Sequence, residues 1–352
     1  MERPTLLPHL RPLWRDRTTL QLGTDPDRAV LVEFAQPAAA RILGLLDGTR
    51  TEQTVRGEAA DLGIPDEHVT AVLDALRRAG VLISARSLVP TAFPPAQRRR
   101  LAGEAAALAM RGAPPAQLLR RRAGAHVLVT GQARLSAPIA AALAAAGVGH
   151  VATRVAGPVC TTDDVALGGL SAVDVGRPID EAVVDTVTRA APGVDTTPLR
   201  PEAATFIVRV GFDPTPAALA AQAYARRRLA HLAVTARDGA VVVGPLVPPA
   251  GSPCLACLDL HRTDRDPAWR RLSAQLATQP PTQVCAAATV LIGVGHAVAE
   301  VLTYLDGGSP RTRGATLEID GAGGDRRRSW TAHPRCDCRR GRRSGDHASQ
   351  LI

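Results

Sequence analysis

The chain has 352 residues, a net charge of +9 and 45% apolar residues, of which only 3% of the total are aromatic. That length accommodates two domains with a sizeable core, and so few aromatic rings leave little for single-stranded nucleic acid to stack on. All 42 basic residues are arginine, with no lysine and no asparagine anywhere, so the positive charge follows GC-rich residue choice and is weak grounds for a nucleic-acid partner.

The first residues, Met1-Glu-Arg-Pro-Thr-Leu-Leu-Pro, lack a basic region followed by an apolar run. No signal peptide is expected, and the default location is the cytoplasm. Strands are expected over 10–15, 19–22 and 30–34, with a turn at Gly23-Thr-Asp-Pro-Asp. Helices follow over 38–46, from the Thr51 cap to Leu62, and over 69–79. In the last, Val69, Val72, Leu73, Leu76 and Ala79 share one face. Val81-Leu-Ile83 is expected to open a wing strand. Three strands with three short helices describe a winged-helix module. As a DNA reader it would present Asp66, Glu67, His68, Thr70, Asp74, Arg77 and Arg78, a mixed face poorly suited to phosphate. As a peptide binder it would add an extended ligand to its sheet edge beside the third helix. The layout of residues 6–84, with Leu45-Leu-Asp-Gly-Thr-Arg-Thr-Glu, resembles the PqqD-like leader-peptide recognition elements of machinery that modifies ribosomally made peptides.

Residues 86–124 are expected to link domains, with prolines at 90, 94, 95, 114 and 115 around an alanine-rich helix. From Ala125 the pattern of buried strand, tight turn, small-residue helix and second strand opens a dinucleotide-type α/β unit. Its phosphate turn is degenerate: the three glycine positions read Gly131, Ala133 and Ser136. The Cβ of Ala133 would stand where backbone must approach a pyrophosphate. A central strand over 204–213 ends on Asp213, a candidate magnesium ligand beside the turn-forming alternative. A helix over 217–229 and two more strands, at 231–235 and 240–244, lead to Cys254. The apolar segment 284–305 contains His296 and Glu300 and is expected to be a core helix, not a membrane span.

Cys254-Leu-Ala-Cys257 and Cys336-Asp-Cys338 are two short-spaced thiol pairs suited to one tetrahedral zinc; disulfides or chance pairing are the competing explanations. Cys160 and Cys285 lie outside that set. Cys160, in a loop, is the weak candidate nucleophile and Cys285 is expected to pack. Asp259, His261, Asp264 and Asp266 are expected on the outer face of a helix whose Leu258, Leu260, Trp269 and Leu272 point inward, with His261 able to reach a metal-bound thiolate.

The Gly-turn, the Gly244-Pro-Leu-Val-Pro strand exit into Cys254-x-x-Cys257 and the late thiol pair resemble the ThiF/MoeB family of ubiquitin-activating-type adenylyltransferases over 125–338. The run from Cys254 to Trp269 is most similar to actinobacterial ThiF-like proteins of azoline-forming peptide maturation. The resemblance implies a Rossmann-like α/β domain with a structural Zn2+ knuckle, a homodimer, and an ATP/Mg2+ site. That last site departs from the pattern, since the family uses a lysine and an asparagine that this chain lacks; Arg134 is the one substitute cation in the turn. The expected organisation is a winged-helix module at 1–85, a linker at 86–124, the ThiF-like domain at 125–338 and a basic disordered tail at 339–352. The expected function is a non-catalytic, leader-peptide-binding partner of a YcaO-type cyclodehydratase. The alternatives are an ATP-dependent adenylyltransferase and a winged-helix DNA-binding regulator.

Overall fold

The computed structural model describes residues 3–339 apart from 9, 35, 212–216, 250, 279–283 and 322–324. Asp213 and the tail beyond 339 therefore lie outside the described residues. The chain forms two compact units, 1–120 and 121–352.

In the first unit, β1 (Pro4–Leu6) is followed by β2 (Pro12–Trp14), β3 (Thr19–Leu22) and β4 (Val30–Glu33). Strands β2, β3 and β4 form an antiparallel sheet in that order. Helices α1 (Ile42–Leu45), α2 (Glu52–Asp61) and α3 (Asp66–Arg78) come next. Thr51 caps α2, its hydroxyl accepting the Thr54 N–H at 3.2 Å. The apolar stripe on α3 buries Val69, Val72, Leu73 and Leu76 against Leu20, Leu22, Val32 and Phe34, whereas Ala79 lies past the last turn and is exposed. The expected wing strand is β5 (Leu82–Ser84), but it pairs with β1 in a separate two-stranded sheet. It does not extend the β2–β4 sheet. The helix cations are neutralised locally: Arg56 bonds Glu52 at 3.0 Å and Asp66 at 2.7 Å, and Arg77 also holds Glu52.

The stretch expected as a linker carries α4 (Ala85–Leu88), α5 (Pro95–Arg100), α6 (Ala102–Met110) and α7 (Pro115–Ala123). They have a small core of Leu101, Ala105, Leu108, Leu118 and Leu119.

The second unit opens with β6 (His126–Gly131), α8 (Ala133–Ala145) and β7 (His150–Val155), followed by α9 (Ile179–Ala190), β8 (Phe206–Val210) and α10 (Ala217–Arg226). Then come β9 (Ala230–Arg237), β10 (Ala240–Val247), α11 (Leu255–Arg265), α12 (Trp269–Thr278), α13 (Ala287–Leu305), β11 (Ala315–Ile319) and β12 (Arg326–Ser329). The described strands form a sheet in the order β12-β11-β10-β9-β8-β6-β7, parallel from β7 to β9 and antiparallel beyond. One face of this sheet, including Val127, Val129, Phe206, Val208, Val241 and Val243, packs on α8, α9 and α13. Helix α13 is long and apolar enough to cross a membrane, yet one face is buried on the sheet. A side chain on Gly293 would come within 2.5 Å of Val241. Buried Glu300 accepts the N–H groups of Arg311 and Thr312 at 3.1 and 2.7 Å, which explains a carboxylate at that depth.

The opposite face of the sheet is more polar and carries buried His231 on β9. The His231 Nδ1–H donates to the Leu229 carbonyl at 3.2 Å, leaving Nε2 unpartnered, and the ring lies 4.3 Å from that of Tyr224. Burial pushes its pKa down to about 4 against the contribution of that hydrogen bond. The unfolded chain takes up the proton near pH 6.5, so between 6.5 and 4 it binds more protons than the folded one. Stability is complete above pH 6.5 and is lost on acidification at about 1.4 kcal/mol per pH unit. Urea midpoints across this range should fall for the wild type and fall less for His231→Phe; parallel curves would show that His231 is not the titrating group.

Candidate functional site

The four cysteines singled out in the sequence meet at the start of α11. Cys254 is the N-cap of that helix and Cys257 lies in its first turn, while Cys336 and Cys338 arrive after β12. The sulfurs lie within 4.8 Å of one another, with Cys254–Cys257 at 3.9 Å, Cys254–Cys336 at 3.6 Å and Cys257–Cys338 at 3.4 Å. A tetrahedral ion with metal–sulfur bonds of about 2.3 Å places sulfurs about 3.8 Å apart. The set is thus shaped to hold a metal ion, and its cysteines are not joined as disulfides. The S–H of Cys254 and the backbone N–H of His333 draw Cys257 down, whereas donation to Cys257 and burial push Cys254 up. Four adjacent thiolates repel, so ionising the whole set requires a cation.

The surroundings hold the second pair in place. His333 Nδ1 accepts the Arg335 N–H at 3.1 Å, and its Nε2–H donates to Asp264 at 2.8 Å. Asp264 also holds Arg335. His261, expected to reach a thiolate, instead donates to the Thr331 carbonyl at 2.9 Å and packs edge-on against the His333 ring. Contacts to sulfur come instead from the His333 backbone and from the Ser252 hydroxyl, 3.5 Å from Cys338 Sγ, which no residue pattern announces. Asp259 accepts Trp269 Nε1–H at 2.6 Å. Leu272, expected to point inward, is 43% exposed.

A second candidate region lies where β7 and β8 leave β6 on opposite sides, the switch point at which open α/β sheets take ligands. Gly131 there has φ +110°, and a Cβ on it would fall 1.8 Å from the Val210 carbonyl oxygen. The glycine is fixed by the close approach of β6 to β8. Ala133 and Ser136 are fully buried in α8, so neither faces an incoming phosphate. Gln132 lies across Gly211: a Cβ on that glycine would stand 2.8 Å from the Gln132 Cδ. This carboxamide was missed in the sequence, where the gapped glycine pattern drew attention to its neighbours. Arg134 Nη2 donates to the Cys285 carbonyl at 3.2 Å and its Nε is buried without a partner, so it spans two elements of the protein itself.

Cys160 corrects an expectation. Its loop folds inward, pinned by Thr161–Asp164 and Ser171–Asp174 capping boxes, and the thiol is 1% exposed in the main core. Burial raises its pKa, the reverse of what a nucleophile needs. Cys285 packs as expected, donating to the Ala240 carbonyl at 3.5 Å.

These features define an α/β sheet protein with a four-thiol knuckle and a preceding small domain. No protein-family model matches the sequence, and no curated protein does. Among solved structures, the chain is similar to Escherichia coli MccB with MccA, at TM-score 0.65 and 14% identity over 96% of this chain and 99% of that one. The microcin C7 biosynthetic enzyme MccB in complex with N-formylated MccA gives TM-score 0.64 and 13% identity over 95% and 99%. PaaA gives TM-score 0.64 and 14% identity over 91% and 98%. The chain therefore has the fold of these proteins, across nearly its whole length.

Proposed function

We propose that this chain is a peptide-binding partner protein built on the scaffold of a ThiF-type activating enzyme. Its N-terminal unit acts as a PqqD-like, winged-helix-type module that captures the leader of a ribosomal precursor peptide. Its sheet unit, stapled by a structural Zn2+ at Cys254, Cys257, Cys336 and Cys338 and paired as a homodimer, presents that peptide to a YcaO-type cyclodehydratase. The observation that carries this is the β2–β4 sheet. Leu13, Gln21 and Leu31 lie in register across it, and Leu13 and Leu31 are 41% and 53% exposed. Strand β4 is an edge with α3 packed beside it. Such an edge offers backbone groups for strand addition and apolar side chains for specificity.

Leu31→Glu should weaken binding of the synthetic leader encoded beside this gene by about tenfold or more in fluorescence anisotropy, with an unchanged thermal melt. Failure of the wild type to bind any neighbouring precursor would overturn the proposal. A filled turn at Gln132, buried Ala133 and an engaged Arg134 support the non-catalytic form.

The second reading is an adenylyltransferase, favoured by the likeness to MccB, which has been solved with ATP. It needs a magnesium ligand, for which Asp213 is the candidate. Tight ATP–Mg2+ binding by calorimetry together with pyrophosphate exchange would select it. A DNA-binding role is disfavoured by the Glu52, Arg56, Asp66 and Arg77 network, which neutralises the cations a phosphate backbone would use.

A further inference from the structure

The polar face of the main sheet rises, toward the β9–β10 turn, into a concentration of arginines. Arg237 ends β9, and Glu318 of β11 lies two strands away. Arg326 and Arg328 of β12 pair across to Glu318 and Thr316. Arg262 reaches the same region from α11. Its guanidinium lies over the Trp269 ring, 5.0 Å from the centroid, and that of Arg328 lies 5.7 Å from the centroid of Trp330. The His261 ring, 6.0 Å from Trp330, ties α11 to β12.

Charge is unbalanced here. Arg237 holds Glu318 only at 3.4 Å, and Glu318 is shared with Arg326. Asp259 is occupied with the Trp269 N–H. Among the described residues, neither Arg262 nor Arg328 has an ion pair. Burial, with repulsion from Arg237 and Arg328, pushes Arg262 down to about 10 against the attraction of Asp259. Like charges gathered in a half-buried place are destabilising unless an anion joins them. An arginine stacked on an indole keeps its donor edge free, and that fork matches a carboxylate in two-point geometry.

We infer that Arg262, Arg328 and Arg237, backed by Trp269 and Trp330, form a binding site for an acidic peptide segment. Each stacked guanidinium takes one aspartate or glutamate carboxylate while the indole faces receive its methylene stem. This goes beyond leader capture and does not depend on it, because the site is built wholly from the second unit. A phosphate-bearing small molecule shares the anionic chemistry but makes no use of the apolar ring faces.

The test uses the full chain with fluorescein-labelled hexaglutamate as probe, hexaglutamine as its uncharged counterpart and inorganic pyrophosphate as the phosphate arm. Hexaglutamate should bind and hexaglutamine should not. Arg262→Gln and Arg328→Gln should each weaken hexaglutamate about tenfold, while Arg99→Gln, an equal charge change on exposed α5, should leave it unchanged. Because the two variants sit on separate elements, misfolding of one leaves the other decisive, and thermal melts identify it. Equal weakening by Arg99→Gln would overturn the inference in favour of bulk charge. So would pyrophosphate binding that needs Arg262 and Arg328 while hexaglutamate fails to bind. Leu31→Glu should leave hexaglutamate binding intact, so this site and leader capture can fail separately.

Discussion

Metal analysis of the purified protein should give one zinc per chain, and its loss should cost more stability than any single side-chain contact. The two thiol pairs come from segments 79 positions apart, from Cys257 to Cys336, and few buried apolar groups accompany them. Without the cation, donation to Cys257 and burial disfavour ionising Cys254, and burial disfavours ionising Cys336. Structural zinc contributes directly to folding, by up to about 10 kcal/mol or more in small zinc modules; a larger core supplies part of that here. Cys336→Ser should therefore remove about 3 kcal/mol or more and lower the melting temperature by roughly 10 °C. Chelation of the wild type should reproduce the effect, and chelator should do nothing further to the variant. Wild-type protein that purifies without metal and whose melt chelator does not move would show that the cluster is only packing.

Gly131→Ala should be at least as damaging as Cys336→Ser, for an unrelated reason. The added methyl would overlap a backbone oxygen at 1.8 Å, and the residue's φ of +110° strains any side chain. Neither β6 nor β8 can yield without disturbing the strands paired on either side. A loss of about 4 kcal/mol or more is expected, read as a lower denaturant midpoint or as insoluble protein. Near-wild-type stability would mean that this glycine serves a ligand. Ala133→Gly in parallel should cost about 1 kcal/mol by backbone freedom in α8, and calorimetry should find no gain in ATP affinity.

The parts of the fold that could be read from sequence are those with short-range causes. Thr51 announced α2 because a hydroxyl reaches a nearby N–H. The valine runs at β6, β8 and β10 announced strands buried on both sides. The cysteine spacing announced the knuckle because ligand geometry is local within each pair. What stayed hidden depends on distant segments. The pairing of β1 with β5 joins residues about eighty positions apart. The β12 strand, three arginines and a serine, has no apolar alternation to betray it. Cys160 was a candidate nucleophile because it lies in a loop, but Thr161, Asp164, Ser171 and Asp174 form capping boxes in that loop and the thiol is buried. At the switch point, the glycine pattern pointed to the right turn but not to Gln132, whose position over Gly211 is a tertiary fact.

The large sheet and the β2–β4 sheet also differ in how they treat strangers. An outermost strand is an open template, and a protein that leaves one bare risks templating aggregates. On the large sheet β12 closes that door: Arg327 is exposed along it, and an approaching basic strand would meet its positive charge. The small sheet's β4 carries Val30-Leu-Val-Glu33, with a single exposed carboxylate at its end and Leu31 exposed beside it. One chain thus keeps an electrostatic gatekeeper at one margin and a sticky margin at the other, so at high concentration self-association should begin at β4, and a bound leader would act as its own solubiliser.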